Sequence, residues 1–165
     1  MDEIMKKNIT EIVIDDGSVK VPIRNKHGEE IGVFYFRPTD IGIIDRYNKI
    51  VGTFDEITAP LEHVNINADG TADEQNAAGV EALHTAEKRL YEACDFMFGG
   101  NMSEAFFGKM HPFSPVGGSF YCETAIESVG KFIAAQFDRE TNKISKRVNR
   151  YTQGYKGAKH RNGHA

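Results

Sequence analysis

Residues 90–137 read LYEACDFMFGGNMSEAFFGKMHPFSPVGGSFYCETAIESVGKFIAAQF. They divide into a helix end at LYEACDFMF, a glycine break at GGN, a short helix in MSEAFFGKM, a Pro-rich bend at HPFSPVGGS and a closing helix from FYCE onward. Eight of the eleven phenylalanines fall in this stretch, which carries no catalytic signature, so it reads as a packing and docking unit.

The spacings inside it predict its elements. Asn101 with Glu104 has capping-box spacing, which predicts about two helical turns over 102–109 ending at Gly108. The bend follows because a residue before proline is pushed out of the α region. Cys122, Ile126, Val129, Ile133 and Phe137 then form a last apolar stripe on a helix that starts at Ser119 or Thr124. Upstream, Val80, Leu83, Leu90, Cys94 and Met97 make a three-four repeat interrupted by Glu87, on a helix from Ala77 that stops at Gly99-Gly100. A polar linker at 65–76, NINADGTADEQN, precedes it.

Further toward the N-terminus, EIVIDDGSVKVPIRNKHGEEIGVFYF (11–36) predicts an antiparallel meander of about three strands within 9–36. Val19, Val21 and Ile23 alternate with polar residues, and Asp16-Gly17 and Asn25-Lys26-His27-Gly28 supply the turns. Pro22 cannot donate to a ladder, so the strand order stays open. The third strand, with Ile31, Val33 and Tyr35 on one side and Phe34 and Phe36 on the other, is expected to be buried on both faces. Thr39 or Asp40 then caps a long helix whose stripe Ile41, Ile44, Tyr47, Val51, Phe54, Ile57 and Leu61 should face the core, ending or kinking near Ala59 before Pro60.

The expected fold class is therefore α+β: a single domain over 1–138, with a β-meander at 9–36, a bundle of about four helices over 39–137, and a basic, partly frayed extension at 139–165. The 165 residues, 40% hydrophobic and 27% charged, suit one globular domain. The net charge of −4 is unevenly spread. Residues 139–165 hold eight Lys or Arg and one acid, a net of +7, which leaves −11 on residues 1–138. No apolar run reaches the ~20 residues of a membrane helix and the N-terminus has no signal-peptide core, which predicts a cytoplasmic protein. Cys94 and Cys122, flanked by apolar helix positions, read as small core residues in a reducing compartment.

Signals for chemistry are weak. The six histidines form no HExxH pair, and His160 and His164 lie in a Gly-broken segment. Gly108-Lys109 resembles the end of a P-loop, but Met110 stands where Ser or Thr is required and Ser103 where the first glycine belongs. Val116-Gly117-Gly118-Ser119 reads as a hinge or cap before a helix. The expectation is a non-enzymatic protein with no cofactor and no metal. Lys143, Lys146, Arg147 and Arg150 are candidates for polyanion contact, with Tyr151 and Tyr155 interleaved. No nucleic-acid reading motif accompanies them, so an acidic protein partner is as good a reading.

The order of segments resembles the tail assembly chaperones of long-tailed phages and prophages of Gram-positive bacteria. The resemblance is carried by Phe96-Met97-Phe98-Gly99-Gly100, by Phe106-Phe107-Gly108, by Phe120-Tyr121-Cys122-Glu123 leading into Ile126 and Ile133, and by EEIGVFYFRPTDIGIIDRYNKI at 29–50. It spans most of residues 10–137, with the Pro-rich HPFSPVGG segment and the 65–76 linker as departures. It implies a β-rich N-terminus followed by helices, and a non-catalytic role in host cytoplasm. Such a chaperone binds and solubilises the tape-measure protein and helps tail-tube subunits polymerise around it, is made in short and frameshift-extended forms, and is absent from the mature virion. Self-association stays open. A minor structural tail or connector protein and a nucleic-acid-binding protein are the alternatives.

A tape measure is a long helical chain with apolar faces, so its chaperone needs a helix-lined apolar groove. The candidates for that groove are Phe96, Phe98, Met102, Phe106, Phe107, Met110 and Phe113, each with core packing as its competing reading.

Overall fold

A computed structural model describes residues 10–59, 61 and 77–163, with side-chain surroundings for 10–59, 61 and 79–148. The architecture is α+β: a β-hairpin, β1 (Val19–Arg24) and β2 (Glu30–Phe36), then helices α1 (Gly42–Val51), α2 (Phe54–Thr58), α3 (Ala77–Phe98) and α4 (Met102–Phe107). A two-residue hairpin, β3 (Pro115–Val116) and β4 (Ser119–Phe120), leads into α5 (Tyr121–Gly163). The 65–76 linker lies outside the described residues.

Among the described residues the N-terminal sheet has two strands where a three-stranded meander is expected. Residues 11–18 form no strand, and Ile12, Val13 and Ile14 stand in solvent. The reason lies in the two edges of the hairpin. On the outer edge of β1, Pro22 sits opposite Val33 and offers no N–H to a further strand. The far edge of β2 is already taken by the Asn101 carboxamide, which accepts the Tyr35 N–H at 2.8 Å and donates to the Val33 carbonyl at 3.0 Å. Gly32 and Gly100 permit this approach, because a Cβ at Gly32 would overlap the Ala105 carbonyl and one at Gly100 the Tyr35 carbonyl. β2 is buried on one face only: Phe34 and Phe36 stack at 4.1 Å inside, while Tyr35 is half exposed under the Lys20 ammonium.

The helix expected over 40–59 breaks at Gly52-Thr53 into α1 and α2, and ends before Pro60 as expected. Asp40 anchors its start, accepting the Gly42 N–H at 2.9 Å. Ile43 and Ile50 turn inward. The other side of α1 presents Ile41, Ile44, Tyr47 and Val51 to solvent, the reverse of the expected stripe, while Phe54, Ile57 and Leu61 do pack on the core. Helix α3 ends at Gly99, φ +65°, as its glycines predict. The predicted capping box on α4 does not form, because Asn101 is engaged with β2. Asp95 of α3 caps instead, taking the Ser103 N–H at 2.8 Å and the Ser103 hydroxyl at 2.6 Å.

In the Pro-rich bend, Gly117 and Gly118 both have positive φ, +61° and +86°, the pair that a tight two-residue hairpin demands. They serve a turn, and α5 begins at Tyr121, between the two expected start positions. Its first amides are met by the Ser114 and Pro112 carbonyls, and the Glu123 carboxylate accepts the Phe120 N–H at 2.9 Å. One core joins Phe34 and Phe36 to Leu90, Cys94, Met97, Met102 and Cys122.

Candidate partner-binding groove

Five of the seven predicted groove residues are core. Phe98, Met102, Phe106, Phe107 and Phe113 are buried. Phe106 meets Phe34 edge-on at 5.7 Å, Phe107 stacks on Tyr91 and meets Tyr121, and Phe113 meets Phe120 at 5.5 Å. The Tyr121 hydroxyl locks this layer by donating to the Phe106 carbonyl at 2.9 Å. Only Phe96, 52% exposed, and Met110 reach the surface, and Phe96 lines a shallow depression with Ile57, Arg89 and Ala93. The seven therefore form no common surface. Five of them are core because α3 and α4, packed on a two-stranded sheet, need bulky residues to exclude water between them.

A groove does exist, but between α1, α2 and α5. It holds about 690 Å³ and is lined on one wall by Tyr47, Val51 and Phe54 and on the other by Ile126, Gly130 and Ala134, with Met97 below. Its apolar wall on α1 takes Tyr47 and Val51 from the outward stripe, both partly exposed. A second depression of similar size continues along α5, between Pro38 and Ile41 on one side and Phe137, Thr141 and Ile144 on the other. Nothing stands within 4 Å of a Cβ added at Gly130, so the wall is open at its narrowest residue.

The rim is acidic. Asp55, Glu123 and Glu127 line the first depression with a single cation, Lys131, which is paired with Glu127 at 3.1 Å. Asp15, Asp16 and Glu140 line the second. Hydrogen bonds from Ser18, then the Arg37 guanidinium at 2.6 Å, hold Asp16 well below the usual carboxylate range. The groove position is set by Arg46 on the inner side of α1, which donates from Nε to the Met97 carbonyl at 3.1 Å and from Nη2 to Asp40 at 3.0 Å. That contact satisfies an end carbonyl of α3 and fixes the angle of α1.

The signal for this groove was in α1 itself. GIIDRYNKIV with Ile41 has apolar residues on two faces, and a helix covering a small core can bury only one of them. Lys143, Lys146 and Arg147 are exposed on α5 past the last core residue, with Lys143 3.3 Å from Glu140; the Arg150 side chain lies outside the described residues.

Elsewhere, Glu87 accepts the Tyr91 hydroxyl at 2.7 Å and lies 3.1 Å from Nε2 of His111. His111 Nδ1 accepts the Phe113 N–H, which makes this cluster an anchor for the bend. Among the described residues no group of three or more His, Cys, Asp or Glu is placed to hold a metal ion, and no helix is long and apolar enough to cross a membrane. The sequence matches no family model, and neither the curated proteins nor the solved structures gave a match.

Proposed function

We propose that this chain is a non-enzymatic tail assembly chaperone of a long-tailed phage, which holds an apolar helical segment of the tape-measure protein and assists tail-tube polymerisation in host cytoplasm, leaving before the virion matures. The observation that carries this reading is the open apolar groove between α1, α2 and α5. Its walls are helical, the geometry in which an amphipathic helix docks by residues at i, i+3, i+4 and i+7. The resemblance in sequence supplies the partner, and the groove supplies a surface of the right kind.

The experiment is co-expression with a phage tape-measure protein, following its solubility and co-purification. Val51→Asp and Ala134→Asp, both at the groove surface, should abolish capture while the circular dichroism spectrum stays unchanged. Capture undiminished by either substitution would sink the groove as the docking site. Mass spectrometry of purified particles separates the chaperone, which should be missing from them, from a structural tail component, which would be present.

A further inference from the structure

We propose that the groove is also a self-association site, in which two copies pack α5 against α5 antiparallel and each lays its basic helical segment into the acidic-rimmed groove of the other. The inference rests on the groove and its charge, and not on the tape measure as client.

The first support is continuity of the stripe along α5. Gly130, Ala134, Phe137, Thr141, Ile144 and Val148 recur at intervals of four and three, and Tyr151 and Tyr155 continue the spacing in the sequence. That is the heptad seam of a helix that packs on another helix. The first five of these line the two depressions. Yet from 138 to 148 every residue of α5 is exposed, Ile144 and Val148 included. Among the described residues the seam thus runs on past the last core residue of α5.

The second support is charge. The groove walls carry Asp55, Glu123 and Glu127 against Lys131, while residues 143–150 carry Lys143, Lys146, Arg147 and Arg150 and no acid. An antiparallel pair sets the basic stretch of each helix over the acidic start of the other, whereas a parallel pair would set like charges side by side. The fit in size has the same sense, since Gly130 and Ala134 leave the room that Ile144 and Val148 of a second copy would fill.

A basic α5 segment seated in this groove must come from another molecule. Helix α5 is continuous from Tyr121 to Gly163, so its basic segment travels away from the groove that its own first turns line. A two-fold axis near the middle of the seam makes both contacts at once, the self-complementary arrangement of a closed dimer.

The test is sedimentation equilibrium of the full chain without client. A dimer is expected, and Ile144→Asp with Val148→Asp, which touches no core residue, should weaken it by about tenfold or more. Charge reversal on the groove (Asp55→Lys, Glu127→Lys) and on the helix (Lys146→Glu, Arg147→Glu) should each give monomers that dimerise again when mixed. A monomeric parent chain overturns the proposal, as does a dimer indifferent to these substitutions. Capture of the tape measure by a monomeric parent would overturn the dimer while leaving the chaperone reading intact. A dimer that ignores the tape measure would do the opposite.

Discussion

The carboxamide of Asn101 lies against the backbone of Tyr35, accepting its N–H at 2.8 Å, and so occupies the place that a third strand would take. With its second bond, to the Val33 carbonyl, one side chain satisfies two backbone groups from a position 66 and 68 residues away in sequence. Asn101→Ala leaves both without a protein partner at the seam between β2 and α4, and should cost about 1–3 kcal/mol in urea unfolding. Asn101→Asp should not rescue it, because a carboxylate would face the Val33 carbonyl.

Close approach at the same seam makes two glycines sensitive and a third one tolerant. Gly32→Ala would force a methyl into the Ala105 backbone and Gly100→Ala one into Tyr35, so each should cost about 1–3 kcal/mol or more. Gly130→Ala has open space on a helix and should raise stability by up to ~1 kcal/mol. Thermal melting of the three variants gives the ranking, and a stable Gly100→Ala protein would contradict the packing described.

Acid should loosen α1 from α3. The hydrogen bond from Arg46, then that from the Gly42 N–H, holds Asp40 below its ordinary value of 3.8. A folded-state pKa below the unfolded one stabilises the fold above that ordinary value, and the contribution is lost as pH falls through the folded pKa. Asp40→Asn should therefore lower stability at neutral pH and flatten the acid limb of a stability profile below about pH 4. The effect is modest, since the Asp40 side chain is 41% exposed.

Burial pushes the Cys94 and Cys122 thiols up to about 12. Both are free and buried. Since the thiolate is the reactive form, neither should react with a disulfide reagent at pH 8 until the chain unfolds, when both should react together. Fast labelling of one thiol in the native protein would show that α3 and α5 separate readily.

Local pattern carried most of the helical architecture, because caps, glycines and apolar spacing act over a single turn. The ends of α3 at Gly99 and of α2 before Pro60 are such cases. Expectations failed where a residue had two uses. Asn101 has the spacing of a helix cap, but the backbone of β2, distant in sequence, holds it instead. Ile12-Val13-Ile14 has the composition of a strand, yet Pro22 denies it a ladder on β1. The aromatic run around α4 shows that it must pack, not which way it faces, and Phe106 and Phe107 went inward. The groove was hidden by the same ambiguity in α1, where Ile43 and Ile44 are neighbours on opposite sides.

Pro22 has a further consequence for how this protein survives at high concentration. Among the described residues, a two-stranded sheet with one edge covered leaves the outer edge of β1 as its open side. Open edges template the stacking that leads to fibrils. Pro22 interrupts that edge at its middle, and exposed Lys20 and Arg24 flank it with charge. The neighbouring Ile12-Val13-Ile14 is bracketed by Glu11, Asp15 and Asp16, three negatively charged gatekeepers. The residue that stops a third strand from forming within the chain thus also stops a foreign strand from joining it.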